Sequence, residues 1–103
     1  MRFLDLLFAG STNCVMRAGA VAMAAVAAHG VPTMLTIEPT MDFDHDALVA
    51  MIRACKPTQV NIGRNTVRSV QVPEPSRNQV QALNAELKTF TQVLVKPNAV
   101  EWQ

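Results

Sequence analysis

The stretch that most restricts the fold of this chain is Thr33–Asp46, which reads TMLTIEPTMDFDHD. Its apolar residues Leu35 and Ile37 alternate with polar ones, and this two-residue period predicts a β-strand with one apolar face. Glu38 stands at the C-terminal end of this strand, before a proline-containing turn and an aspartate-rich helix start. A strand, a polar residue at its tip and a capped helix form the repeating unit of an α/β sheet, and ligands bind such sheets at the strand tips.

The same unit recurs along the chain. Asp42 or Asp44 is expected to cap the second helix, and Ser76 with Gln79 forms a capping box at the start of the third. The first helix is predicted at Cys14–His29 from its alanine-rich composition. The predicted strands are Arg2–Ala9, Thr33–Glu38, Thr58–Gly63 and Gln92–Lys96.

This order predicts a single α/β domain over residues 1–103, arranged β-α-β-α-β-α-β with a mainly parallel four-stranded sheet. A closed eight-stranded β/α barrel takes roughly 200 residues or more, so the chain has room only for a half-barrel-like sheet. Three strands have one aliphatic face and one polar face, which predicts helices mostly on one side. The polar face is expected to carry Thr36, Glu38, Gln59, Asn61, Gln92 and Lys96.

Composition and charge restrict the partners and the compartment. The formal net charge is +1, which gives no overall electrostatic attraction to nucleic acid or to an anionic membrane. We therefore predict no membrane partner and do not expect a nucleic-acid partner. Cys14 and Cys55 are far apart and form no zinc-type pair, which indicates two reduced thiols in a cytoplasmic protein. An export signal is the alternative for the apolar N-terminus, but Asp5 and Arg17 interrupt its apolar runs before they approach the roughly 20 residues that span a membrane.

Polar residues near the strand tips are the candidate ligand-binding site. A carboxylate, two amides and two cations in one crevice could hold a polar metabolite. The alternative is that an open sheet face is polar only to stay soluble, with Glu38 and Lys96 neutralising each other. The candidate ligand-binding residues are Asn13, Glu38, Asn61, Arg64 and Lys96.

The long connection Arg64–Pro75 is the loop expected to touch a ligand or a partner, because it is irregular and rich in arginine and proline. Its arginines and the one at the next helix start give the candidate partner-binding residues Arg64, Arg68 and Arg77. The apolar first helix also predicts cover from elsewhere in the fold or from a second subunit, so a homodimer is possible.

We predict no metal, cofactor or catalytic residue. Asp42, Asp44 and Asp46 resemble the start of a calcium loop, but Ala47 and Arg53 occupy the positions where an EF-hand needs glycine and glutamate. Helix capping therefore explains these aspartates better than a metal does. The sequence contains no nucleophile elbow and no glycine-rich phosphate loop.

Two longer segments carry a family resemblance: TIEPTMDFDHDALVAMIRACKPTQVNIGRN and VPEPSRNQVQALNAELKTFTQVLVKPN. They resemble the C-terminal part of the barrel in phage and bacterial proteins of the radical S-adenosylmethionine type, in which an IEP-x-MDFD stretch, a VNIG strand and an EPS…FT-x-V-x-x-K-x-N ending recur in this order. The similarity covers about residues 32–98, roughly two thirds of the chain. It implies a barrel-derived scaffold.

The chemistry of that family needs three cysteines in a C-x3-C-x2-C loop, and this chain has only Cys14 and Cys55. We therefore expect no radical chemistry from this chain and predict a small non-catalytic, phage-related protein that binds a partner protein. An inhibitor of a bacterial defence system is one such protein. The alternative is a dimeric half-barrel that binds or acts on a small polar metabolite at the strand tips.

Overall fold

The computed structural model describes residues 21–67 and 69–103. Helix α1 is described over residues 21–28. Gly30 lies in the turn that follows, and its φ of 78° is the left-handed conformation that terminates helices. The remaining elements, in chain order, are strand β1 (Met34–Ile37), helix α2 (His45–Cys55), strand β2 (Gln59–Ile62), helix α3 (Arg77–Leu87), strand β3 (Gln92–Val95) and a 3-10 helix (Pro97–Trp102).

The three strands form one open, parallel sheet in the order β1-β2-β3. This confirms the predicted α/β class and the parallel pairing. The predicted four-stranded half-barrel is not confirmed, because the described residues contribute three strands and the predicted strand Arg2–Ala9 lies outside them. Residues 14–20 of the predicted helix Cys14–His29 lie outside them as well, and residues 21–28 are helical as expected.

The aliphatic face of the sheet makes the core. Central strand β2 contributes Val60 and Ile62, which are fully buried, and helices α2 and α3 cover them with Leu48, Ile52 and other apolar residues. The opposite face remains accessible at both edges, where Met34 is 60% exposed and Leu94 is 50% exposed. The predicted division into an apolar face with helices and a polar face is therefore seen in the described sheet, except that Met34 and Leu94 interrupt the polar face.

The first residues of helices α2 and α3 are capped by side chains that the sequence predicts as caps. Asp44, not Asp42, caps α2, because its carboxylate accepts a hydrogen bond of 3.0 Å from the backbone N–H of Ala47. Ser76 and Gln79 form the predicted capping box of α3. No helix in the described part of the chain is long and apolar enough to cross a membrane.

The C-terminal 3-10 helix is an element that sequence reasoning missed. Pro97 occupies its first turn, where the missing N–H of proline costs nothing. Ala99 and Trp102 are buried against α3 and β3, with Trp102 only 3% exposed. The tail therefore closes one end of the core.

Replacing this tryptophan tests the role of the tail. Trp102→Ala is expected to lower the free energy of unfolding by about 3 kcal/mol, because it leaves a large cavity beside α3. Val100→Ala is the matched control, since Val100 lies in the same 3-10 helix and is 59% exposed. Urea unfolding followed by circular dichroism measures both. Equal effects of the two substitutions would contradict the packing of Trp102 into the core.

Candidate functional site

Backbone hydrogen bonds hold the three strand ends at one edge of the sheet. The N–H of Gly63, just after β2, donates to the carbonyl of Ile37 at 3.0 Å. The N–H of Lys96, just after β3, donates to the carbonyl of Ile62 at 2.8 Å. Parallel strands end at the same edge, so this pairing places the residue that follows each strand beside its neighbours. We call the polar residues gathered there the strand-end network; they are Glu38, Arg64, Glu74, Lys96, Asn98 and Glu101.

The carboxylate of Glu38 has two donors from the segment that follows β3. The Nζ of Lys96 lies 2.9 Å from its Oε1, and the Nδ2 of Asn98 donates to its Oε2 at 2.9 Å. The amide hydrogen bond from Asn98, followed by the one from Lys96, lowers the pKa of Glu38. Glu38 is therefore a charged, hydrogen-bonded carboxylate and lacks the raised pKa of a general acid.

Gly63 makes this position of Glu38 possible. A Cβ atom at residue 63 would come close to the Oε2 of Glu38 and 2.8 Å from its Cδ, so any side chain there would displace the carboxylate. The carbonyl of Gly63 also accepts a hydrogen bond of 2.9 Å from the N–H of Thr40, which holds the turn after β1. The peptide bond within this turn, Glu38–Pro39, is cis.

Arg64 is held by groups on two other segments. Its Nη2 and Nε donate to the Oε2 of Glu74 at 2.6 and 3.1 Å, and its Nη1 donates to Glu101. Its guanidinium also lies 5.1 Å from the centre of the Trp102 ring, within range of a cation–π interaction. The hydrogen bond to Glu74 is the largest of the contributions that raise the pKa of Arg64. Its backbone N–H donates to Asn98 at 3.1 Å, which joins the two halves of the strand-end network.

The structure places the candidate site residues predicted from the sequence in different locations. The structure brings Glu38, Arg64 and Lys96 to one edge of the sheet. Asn61 instead lies inside β2, where its side chain accepts a hydrogen bond of 2.7 Å from Gln59 on the polar sheet face. The other candidates are Arg77, which is exposed at the first residue of α3, and Asn13 and Arg68, which lie outside the described residues.

Sequence reasoning missed Gly63 and Asn98 as parts of the site. Gly63 is the last residue of the predicted strand Thr58–Gly63, and Asn98 stands two residues after the predicted strand Gln92–Lys96, in the K-x-N ending of the family resemblance. Their roles depend on a contact between segments 60 residues apart, which periodicity does not report. The glycine that ends a predicted strand and the K-x-N ending are the sequence signals that point to these two residues.

The arrangement provides little reactive chemistry. Within residues 21–67 and 69–103, no group of three or more His, Cys, Asp or Glu side chains lies close enough to hold a metal ion. Burial raises the pKa of the Cys55 thiol, which makes it a poor nucleophile, and its position in α2 fits the predicted packed, reduced thiol. Comparisons of the chain with protein-family models, with curated proteins and with solved structures found no match.

The close contact between Gly63 and Glu38 is testable by a double-mutant cycle. Gly63→Ala is expected to lower the free energy of unfolding by about 1 kcal/mol, because the new methyl group moves the carboxylate away from Lys96 and Asn98. The same substitution in a Glu38→Ala background is expected to cost much less. Urea titrations of the four proteins measure this coupling. Equal costs in the two backgrounds would rule out the contact.

The Glu38 carboxylate also predicts a pH dependence. Its pKa is lower in the folded chain than the ordinary value of 4.5, so it stabilises the fold above that pH, and this stabilisation is lost as the pH falls through the lowered value. Wild type is therefore expected to exceed Glu38→Gln in stability at neutral pH, by less than about 1 kcal/mol because the pair is partly exposed. The difference should shrink in acid. A difference that grows as the pH falls would contradict the charged state of Glu38.

Proposed function

We propose that this chain is a small non-catalytic α/β protein that acts by binding a partner macromolecule, most simply a protein. The observation that carries the proposal is the mutual pairing of the charges in the strand-end network. Glu38 is held by Lys96 and Asn98, and Arg64 is held by Glu74 and Glu101.

This pairing opposes catalysis for an electrostatic reason. A general acid or base needs a pKa near the working pH, whereas the pKa of Glu38 is shifted down and that of Arg64 is shifted up. A charged ligand at this edge would also have to replace hydrogen bonds that already exist. The network thus supports a structural role, in which it holds the strand ends together. We therefore expect the partner to bind at another surface.

The family resemblance supports a phage-related origin for such a protein. The described sheet lies within residues 32–98, the part that resembles the barrel of the radical S-adenosylmethionine proteins, and parallel strands joined by helices are the unit of that barrel. A chain that keeps part of a barrel without the three cluster cysteines suits a binding role. Inhibition of a bacterial defence system is the specific activity that we propose for it.

A second candidate function is the dimeric half-barrel that binds a polar metabolite. The observation in its favour is the polar sheet face, where Asn61 donates to the hydroxyl of Thr36 at 3.3 Å and accepts from Gln59. A second copy facing this surface would enclose these groups in a shared lumen. Light scattering of the purified chain tests this candidate, because a strict monomer has no shared lumen.

Affinity capture tests the leading proposal. The tagged chain, incubated with a bacterial host lysate at physiological salt, is expected to retain one host protein at a fixed stoichiometry. Arg77→Glu is expected to weaken this capture, because Arg77 is an exposed cation among the predicted partner-binding residues and lies at a helix start that tolerates a carboxylate.

Lys56→Glu is the matched control for the capture. It makes the same change of charge at another exposed position, the C-cap of α2, and it is expected to leave the capture unchanged. Recovery of no host protein by the folded wild-type chain would count against partner binding. Equal loss with both variants would show that the capture depends on net charge alone.

A further inference from the structure

We infer that the groove beside the outer edge of β3 is a binding site for an extended peptide strand of the partner. This inference rests on the proposed function and assigns the surface that performs it. The groove has a volume of about 580 Å³ and lies between β3, α3 and the end of the 3-10 helix. The lining residues that matter for the argument are Asn84, Lys88, Val93, Val95 and Gln103.

The backbone of β3 offers unpaired groups to this groove. The N–H groups of Gln92 and Lys96 donate to carbonyls on the β2 side, at 3.3 and 2.8 Å. Successive residues of a strand direct their backbone groups to opposite edges, so the N–H and C=O groups of Val93 and Val95 face away from β2. A weak contact of 3.5 Å from the Gln103 side chain reaches the carbonyl of Val95. In the described sheet, β3 is an edge strand, and such an edge accepts an added strand.

Asn84 belongs to the buried part of the groove wall. Its side chain lines the groove from α3 and is only 5% exposed. Its Nδ2 donates to the carbonyl of Trp102 at 3.4 Å, but its Oδ1 has no hydrogen-bond partner among the described residues. That oxygen is itself buried in this structure, so it belongs to the wall of the groove and is not a contact for a ligand.

The chemistry of the groove selects the ligand. A peptide in the extended conformation presents N–H and C=O groups every second residue, which matches the spacing of Val93 and Val95. The four residues of β3 span about 13 Å, so about four peptide residues pair with them. Among the lining residues Lys88 is the one with a charged side chain, so a carboxylate beside the paired segment is the complementary group. We therefore commit to an extended peptide that carries an acidic residue.

A synthetic probe tests the backbone pairing. The probe is a fluorescein-labelled hexapeptide of alternating valine and threonine with aspartate at its end, and its binding is read by fluorescence polarisation. Two control peptides carry N-methyl groups on alternate backbone amides, one on the odd and one on the even positions. Only one set of amides faces β3, so one control is expected to bind at least about tenfold more weakly while the other is retained. Equal binding by all three peptides would overturn the inference.

A charge reversal tests the polarity of the site without disturbing the core. Lys88→Glu is expected to weaken binding of the aspartate probe by about fivefold, and a probe ending in lysine is expected to regain that affinity. Lys56→Glu, at the C-cap of the other described long helix, makes the same change of charge away from the groove and is expected to have no effect. Unchanged binding to Lys88→Glu would overturn the assignment of an acidic ligand.

Competition separates this inference from the proposed function. An excess of the probe is expected to displace the captured host protein from the wild-type chain. Capture that survives saturation with the probe would overturn the groove as the partner site and leave partner binding intact. Probe binding in the groove without any captured host protein would instead count against the proposed function alone.

Discussion

The approach of the Glu38 side chain to the backbone of Gly63 is the constraint from which the organisation of this edge of the sheet follows. With a hydrogen atom as its side chain, Gly63 lets the carboxylate lie across the end of β2 and reach donors beyond β3. The turn after β1 is thereby connected to the segment after β3, although the two strands do not pair with each other. Asn98 extends the connection to the backbone of Arg64. Three separate loops thus become one structural unit.

Much of the fold could be predicted because local patterns encode it. Alternation places β1, β2 and β3, and the capping box at Ser76 marks the start of α3. The 3-10 helix could not be predicted in this way, since six residues are too few to show a period. The 3-10 helix is held in place because Trp102 is buried against α3 and β3, which precede it in the sequence. This is a tertiary contact, and a local pattern does not report it.

In the candidate site, too, the sequence suggests some contacts and gives no sign of others that join residues far apart in the chain. The sequence suggests the pairing of Glu38 with Lys96, because opposite charges at the ends of parallel strands can neutralise each other, and the structure contains this ion pair. The sequence does not indicate the environment of Arg64. Its partners Glu74 and Glu101 are 10 and 37 residues away, and nothing in the spacing of these residues shows that both carboxylates reach the same guanidinium. The sequence therefore predicts an arginine in a long loop that is available to a partner, whereas in the structure Glu74 and Glu101 bind its guanidinium.

These contacts also determine where recognition costs least. A ligand at the strand ends must displace ion pairs between partly exposed charged groups, each worth up to about 1 kcal/mol to stability, before it makes its own contacts. The outer edge of β3 has no comparable bonds to lose in the described structure, because only the weak contact from Gln103 occupies it. The binding that we propose there would add hydrogen bonds to the outward-facing backbone groups of Val93 and Val95. The charged groups at the strand ends are thus already paired with one another, which is why we propose the outer edge of β3 as the surface for a partner.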